Sequence, residues 1–150
     1  MSRIEKGIIV NSAIERVFNY VKEPSNWTKF WPSLTEISDM QPLPNGGYRA
    51  RYEYNMAGMR FKGEGKYTEY IPNKSIVVST SGGITSKLSF AFRPVKASSQ
   101  TNKTRVTLTV EYDIPIPLLG KLAEVVINKM NERDIGLCLS NLQARFLVNY

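Results

Sequence analysis

The sequence offers few of the side chains that commonly carry out catalysis. It contains no histidine and a single cysteine, Cys138. Serine–histidine and cysteine–histidine catalysis are therefore excluded, as is a structural zinc site built from cysteine and histidine ligands. Neither Gly63-x-Gly65 nor Gly82-Gly83 precedes a predicted helix, so neither is a phosphate loop. Any chemistry must rely on tyrosine, arginine and acidic residues, and we assign no catalytic residue, metal or cofactor.

Tyrosines fall on alternate residues of a central segment. Tyr52 and Tyr54 alternate with Arg51 and Glu53, which predicts a β-strand with one apolar and one wet face. Tyrosines on an inward face suit a ligand with an apolar body and a few oxygens. The alternative is a packed core whose hydroxyls reach the rim. From this alternation we expect an inward-facing, pocket-lining set: Tyr48, Tyr52, Tyr54, Met56, Phe61, Gly63, Gly65, Tyr67, Leu88, Phe90 and Tyr112.

A second candidate wall is the C-terminal segment. Leu122, Val126 and Met130 recur at helical spacing, and Arg133 falls on the same side. We expect this face to meet the inward strand positions across the pocket. Arg133 there would meet a ligand carboxylate or phenolate, although such a residue is more often solvated or paired. Cys138 is expected to be a small core residue.

The aromatic cluster Trp27, Phe30 and Trp31 allows two interpretations. These residues lie at or near a predicted short helix that begins around Pro24. They form a lid, a tip that touches a membrane, or simply a plug at one end of the barrel, and the plug is favoured.

The elements that would position these residues follow one order along the chain. A first strand over residues 4–10 precedes a short helix, for which Ser12 and Glu15 form a capping-box pattern. A second short helix, six strands and a long helix that begins near Pro117 follow. Leu139, Leu142 and Phe146 lie opposite the Leu122 side, so this helix either kinks near residues 131–136 or is buried on more than one side. Strands followed by a helix predict an α+β fold.

Composition limits the class of protein. The chain has 150 residues, which favours one domain over residues 1–150. The net charge of +7 favours anionic partners, but the basic residues are scattered and apart from the aromatics, so we expect no nucleic-acid binding. The single cysteine and the lack of a signal-like N-terminus favour a cytoplasmic protein.

At this point the chain resembles the START/polyketide-cyclase-like superfamily, also described as the birch-pollen-allergen or helix-grip fold. The resemblance is carried by residues 10–18, by Glu23-Pro24-Ser25-Asn26-Trp27 with Trp31-Pro32, and by a late block over residues 104–120. The late block is most similar to the carbon monoxide dehydrogenase G-like and coenzyme Q-binding-like branch. The resemblance implies a curved seven-stranded antiparallel sheet around a long C-terminal helix, with two short helices after the first strand.

The function expected from these observations is non-catalytic binding or carriage of a hydrophobic small molecule, such as a lipid, an isoprenoid quinone or a polycyclic aromatic. One alternative is a polyketide cyclase or aromatase. Another is an accessory protein that docks a membrane or a partner protein through its basic surface, and a peripheral membrane contact is compatible with either. The sequence leaves the oligomeric state open.

Overall fold

The elements of the chain are taken from a computed structural model, which describes residues 1–95, 102–115 and 121–147. The strands and helices are β1 (Ser2–Val10), α1 (Ile14–Val21), a 3-10 turn (Pro24–Asn26), α2 (Trp27–Phe30), β2 (Leu34–Pro42), β3 (Tyr48–Met56), β4 (Met59–Ile71), β5 (Ser75–Ser81), β6 (Ser86–Pro94), β7 (Thr104–Tyr112) and α3 (Lys121–Ala144). The predicted order of strands and helices is confirmed. The predicted helix start near Pro117 lies outside the described residues.

The strands form one antiparallel sheet of seven strands in the order β1-β7-β6-β5-β4-β3-β2. The strands from β2 to β7 follow one another as a meander, and β1 pairs with β7 at the far side of the sheet. Register shifts break the β2–β3 and β4–β5 ladders, one of them between Tyr67 and Glu69. Such bulges bend a sheet. The α+β helix-grip architecture predicted from the sequence is confirmed.

The short helix α1 closes one side of the core. Val17, Phe18 and Val21 are buried, and the Phe18 ring meets the Phe92 ring of β6 at 5.1 Å between centroids. The predicted Ser12–Glu15 capping box is wrong, because Ala13 is the N-cap and no side chain caps the helix. The Ser12 hydroxyl is buried without a hydrogen-bond partner in the described part of the chain.

The long helix α3 is one unbroken α-helix with its apolar side chains on two faces. Its core side carries Asn131, Ile135, Cys138, Leu139 and Leu142, all buried. The predicted burial of Cys138 is thus confirmed, and burial raises the pKa of its thiol. No helix among residues 1–95, 102–115 and 121–147 has both the length and the apolar character needed to span a bilayer.

The other face of α3 contradicts the sequence prediction. Leu122, Val126 and Met130 have exposed fractions of 79%, 50% and 49%, so they do not face the sheet. Helical spacing groups apolar residues onto faces, but only the packing partner decides which face is buried. Here the opposite side of α3 packs against the core. The helix neither kinks nor is buried on two sides, so this expectation is wrong.

Candidate functional site

A cavity lies between the inner face of the sheet, α2 and the core side of α3. The cavity has a volume of about 100 Å³, and the space between the lining atoms reaches about 850 Å³ when the open mouth is included. Its walls are almost entirely apolar. Its chemistry is that of a site for a small apolar molecule.

The structure brings eight of the sequence-predicted residues to this cavity: Tyr48, Tyr52, Tyr54, Met56, Gly65, Tyr67, Leu88 and Tyr112. All of them belong to β3, β4, β6 and β7, where alternation along a strand decides which side chains point inward. Gly65 lies opposite Ala50 in the β3–β4 register, and a Cβ added there would meet only Val78 Cγ1 at 3.5 Å and Thr80 Cγ2 at 3.7 Å. Gly65 therefore leaves open space on the cavity side.

Three predicted strand residues do not line the cavity. A Cβ on Gly63 would lie 2.2 Å from the Ser81 carbonyl oxygen and 2.6 Å from the Tyr52 hydroxyl. Glycine is therefore needed here for the close approach of the neighbouring chain, and it leaves no space for a ligand. Phe90 is fully buried, with its ring centroid 5.4 Å from that of Trp27. Phe61 is partly buried opposite Tyr54, towards the hairpin end of β4, and stays outside the lining.

The predicted helix wall is also absent from the cavity lining. Leu122, Val126, Met130 and Arg133 lie on the exposed face of α3. The expectation that Arg133 meets a ligand inside the cavity is therefore wrong. α3 contributes Asn131 and Ile135 to the wall instead, from the core side of the helix.

The aromatic cluster near α2 is part of the cavity wall. Trp27 and Trp31 both line the cavity and are 5% and 3% exposed, while Phe30 is fully buried. The Trp27 indole N–H donates to the Val21 carbonyl at 2.7 Å. Because all three side chains are buried, these positions agree with the plug and contradict a membrane-touching tip. The order of the residues along the chain gave no signal that the tryptophans would meet the tyrosines of β3.

The tyrosine hydroxyls around the cavity are bonded within the protein. Tyr48 donates to Glu23 at 3.2 Å, Tyr67 donates to the Lys22 carbonyl at 2.8 Å, and Tyr52 both donates to and accepts from the Ile84 backbone. Because these bonds occupy the hydroxyls, the tyrosines present their rings to the cavity. The expectation that they supply oxygens for a ligand is not supported at these positions.

The carboxylate of Asp134 collects three donors at the edge of the cavity. It accepts hydrogen bonds from Tyr54 Oη at 2.6 Å, Ser33 Oγ at 2.6 Å and Trp31 Nε1 at 3.1 Å. Asp134 lies on α3, and its partners lie on β3 and in the segment between α2 and β2. Charged acceptors make strong hydrogen bonds, so this cluster fastens α3 to the wall of the cavity.

Asn131 is the polar side chain on the helix side of the cavity. Its amide nitrogen donates to Tyr112 Oη at 2.9 Å, and Tyr112 in turn bonds the side-chain oxygen of Asn128. Asn131 is only 9% exposed and lines the cavity. An amide has two N–H donors and one acceptor, so one bond to Tyr112 leaves it further capacity towards the cavity.

Burial keeps the cavity tyrosines protonated. It raises the pKa of Tyr54 and Tyr67 far above the ordinary tyrosine value of 10.0, with the Asp134 charge adding to the effect on Tyr54 and the Glu23 charge adding to it on Tyr67. The pKa of Tyr112 is also raised, again mainly by burial. At neutral pH these groups are neutral hydrogen-bond donors and cannot act as bases.

We expect the protein to lose stability in strong alkali. A raised folded-state pKa favours the protonated form, so the stabilisation is complete below pH 10 and is lost as pH rises above it, while the unfolded tyrosines ionise. The free energy of unfolding should fall by about 1.4 kcal/mol per pH unit for each tyrosine that stays protonated. Urea unfolding at pH 8 and pH values above ~10 measures this slope. Tyr54→Phe should make this slope smaller by about 1.4 kcal/mol per pH unit. An unchanged slope would contradict the raised pKa of Tyr54.

Comparisons with known proteins agree with this geometry. The sequence model of a family described as polyketide cyclase / dehydrase and lipid transport matches residues 1–147. No curated protein matches the chain.

Solved structures share the fold at low sequence identity. A protein from Thermus thermophilus is 21% identical, with 97% of each chain covered and a TM-score of 0.72. The Zhui aromatase/cyclase from Streptomyces sp. R1128 is 13% identical over 96% of this chain and 92% of that one, with a TM-score of 0.74. A START superfamily protein from Mycobacterium smegmatis is 16% identical, with 96% of each chain covered and a TM-score of 0.68. At these identities the likeness concerns the fold alone.

Proposed function

The chain belongs to the polyketide cyclase / dehydrase and lipid transport family, and from this premise we propose that it binds or carries an apolar small molecule in the cavity between the sheet and α3. The observation that carries the proposal is a cavity with almost entirely apolar walls whose tyrosine hydroxyls are turned to protein partners. Burial of apolar ligand surface is then the main source of affinity.

The size of the cavity limits the size of the ligand. A volume of about 100 Å³ favours a single acyl or isoprenoid chain over a bulky polycyclic aromatic. The Asn131 amide supports a single polar group on that ligand, such as a hydroxyl or carbonyl. The second N–H of the Asn131 amide has no acceptor among the described residues, and a ligand oxygen at this point would accept a hydrogen bond from it.

A cyclase or aromatase has less support. Such an enzyme needs an acid and a base that reach the folded substrate. Among the described residues, two carboxylates bond cavity tyrosines: Asp134 already accepts three hydrogen bonds, and Glu23 accepts one from Tyr48. The tyrosines stay protonated at neutral pH because burial raises their pKa. Non-catalytic binding needs none of these groups to be free.

Mass spectrometry of the protein purified without detergent tests the proposal. Under native conditions we expect a population heavier than the bare chain by one small molecule, and organic extraction should release an aliphatic compound with few oxygens. A protein that carries nothing, and that fails to take up long-chain alcohols or isoprenoids when they are offered, would contradict the proposal.

Asn131→Leu tests the polar part of the site. The substitution removes the amide but keeps a similar volume. We expect a long-chain alcohol to bind about 5–10-fold more weakly, the value of one hydrogen bond, while an alkane of equal length binds equally well or better. Displacement of a fluorescent apolar dye measures both affinities.

Asn128→Leu is the matched control, because Asn128 bonds the same Tyr112 hydroxyl but does not line the cavity. Equal losses for alcohol and alkane would contradict the role of Asn131.

A further inference from the structure

The exposed face of α3 is apolar over four helical turns. Leu122, Val126, Met130 and Leu137 have exposed fractions of 79%, 50%, 49% and 50%, and Val125 beside them is 49% exposed. Their three-, four- and seven-residue spacing places them on one side of the helix. We call these five residues, with the cations described next, the outer face of α3. A contiguous exposed apolar face on a folded domain marks an interaction surface.

The outer face also carries two cations, with one exposed carboxylate at its edge. Lys129 and Arg133 are exposed there and form no ion pair within the described part of the chain. Glu124 lies seven residues before the buried Asn131, which places it towards the core side of α3. Glu132 is exposed and lies seven residues after Val125, at the edge of the outer face. The third acid of the helix, Asp134, is held by Trp31, Ser33 and Tyr54. The face therefore combines aliphatic side chains with a net positive charge.

We propose that the outer face of α3 docks on the surface of an anionic lipid bilayer. Aliphatic side chains of an interfacial helix insert at the boundary between headgroups and acyl chains, and the long Lys129 and Arg133 side chains reach the lipid phosphates. The net charge of +7 adds a long-range attraction to the same surface. Charge complementarity thus selects a phosphate-bearing surface as the occupant.

A second copy of the chain fits this face less well. In a symmetric pair the same patch covers itself. An antiparallel pairing that covers Leu122 to Leu137 is centred between Lys129 and Met130, so it brings the two Lys129 ammonium groups together away from water. Like charges in a desolvated contact oppose association. The docking proposal does not depend on what the cavity binds.

Vesicle flotation tests the proposal directly. The probes are vesicles of phosphatidylcholine alone and of phosphatidylcholine mixed with phosphatidylglycerol. We expect the full chain to float with the mixed vesicles and not with pure phosphatidylcholine, and high salt should weaken the binding. Lys129→Gln combined with Arg133→Gln should weaken binding about thirtyfold, the effect of removing two basic residues from an anionic membrane surface.

Two further variants separate docking from general charge attraction. Lys66→Gln combined with Lys87→Gln removes the same charge from exposed positions on β4 and β6. Its affinity for the mixed vesicles should fall by less than about fivefold, which is the effect of one basic residue. Val126→Ser combined with Met130→Ser keeps the charge and should also weaken flotation. Equal losses for the two charge variants would overturn the proposal, as would no binding to the mixed vesicles. A dimer in solution that Val126→Ser and Met130→Ser dissociate would overturn it too, by assigning the face to a second copy.

Discussion

Gly65→Leu is expected to abolish most ligand binding while the fold survives. The Cβ of the new side chain fits, because its nearest neighbours are Val78 Cγ1 at 3.5 Å and Thr80 Cγ2 at 3.7 Å. The rest of the leucine projects into the cavity and displaces about four methylenes of ligand, each worth ~0.8 kcal/mol. The expected loss is therefore about 3 kcal/mol, or roughly a hundredfold in affinity.

The matched control is Gly65→Ala, whose single methyl makes ordinary contacts and leaves most of the cavity open. It should bind almost as well as the parent protein and be equally or slightly more stable, because glycine costs about 0.5–1 kcal/mol relative to alanine inside a strand. Dye binding and urea unfolding of both variants make the comparison. A leucine variant that is destabilised by more than about 3 kcal/mol without a selective loss of affinity would show that this space is already packed.

Asp134→Ala is expected to cost about 3 kcal/mol of unfolding free energy. The substitution leaves the Tyr54 and Ser33 hydroxyls without their acceptor, while the Trp31 indole N–H keeps only its longer bond to Tyr54 Oη at 3.2 Å. Each part-buried hydroxyl left unpaired costs roughly 1.5 kcal/mol. Because these bonds fasten α3 to the cavity wall, ligand affinity should fall as well. Urea unfolding followed by circular dichroism measures the stability.

Two comparisons isolate the role of the carboxylate. Ser33→Ala removes one of the three donors and should cost about 1 kcal/mol. Asp134→Asn keeps one acceptor oxygen, so its loss of unfolding free energy should lie between those of Asp134→Ala and Ser33→Ala. If Asp134→Ala costs no more than Ser33→Ala, the three hydrogen bonds do not hold α3 in solution.

The strand part of the site was predictable because alternation maps directly onto the two faces of a sheet. Residues from Tyr48 to Met56 show this, since four of the inward positions named from sequence line the cavity. Gly63 and Gly65 show the limit. They share a face by alternation, yet Gly63 accommodates the turn at Ser81–Gly83 and Gly65 faces free space. The difference depends on chain segments far along the sequence.

The helix part was not predictable from periodicity. α3 has two apolar faces, and the sequence alone does not say which one meets the sheet. Asp134 was missed for a related reason, because its partners Ser33 and Trp31 lie 101 and 103 residues away along the chain. Trp27, Trp31 and Asn131 were missed as cavity residues because only the folded sheet brings α2, β3 and α3 together.

The most direct test of a ligand in this cavity is quenching of tryptophan fluorescence. The chain has two tryptophans, Trp27 and Trp31, and both line the cavity. A long-chain alcohol brominated along its chain should quench both at one equivalent per protein, the unbrominated alcohol should not, and Gly65→Leu should remove the effect. Binding of the brominated alcohol without quenching, or equal quenching of the leucine variant, would contradict a binding site between the sheet and α3.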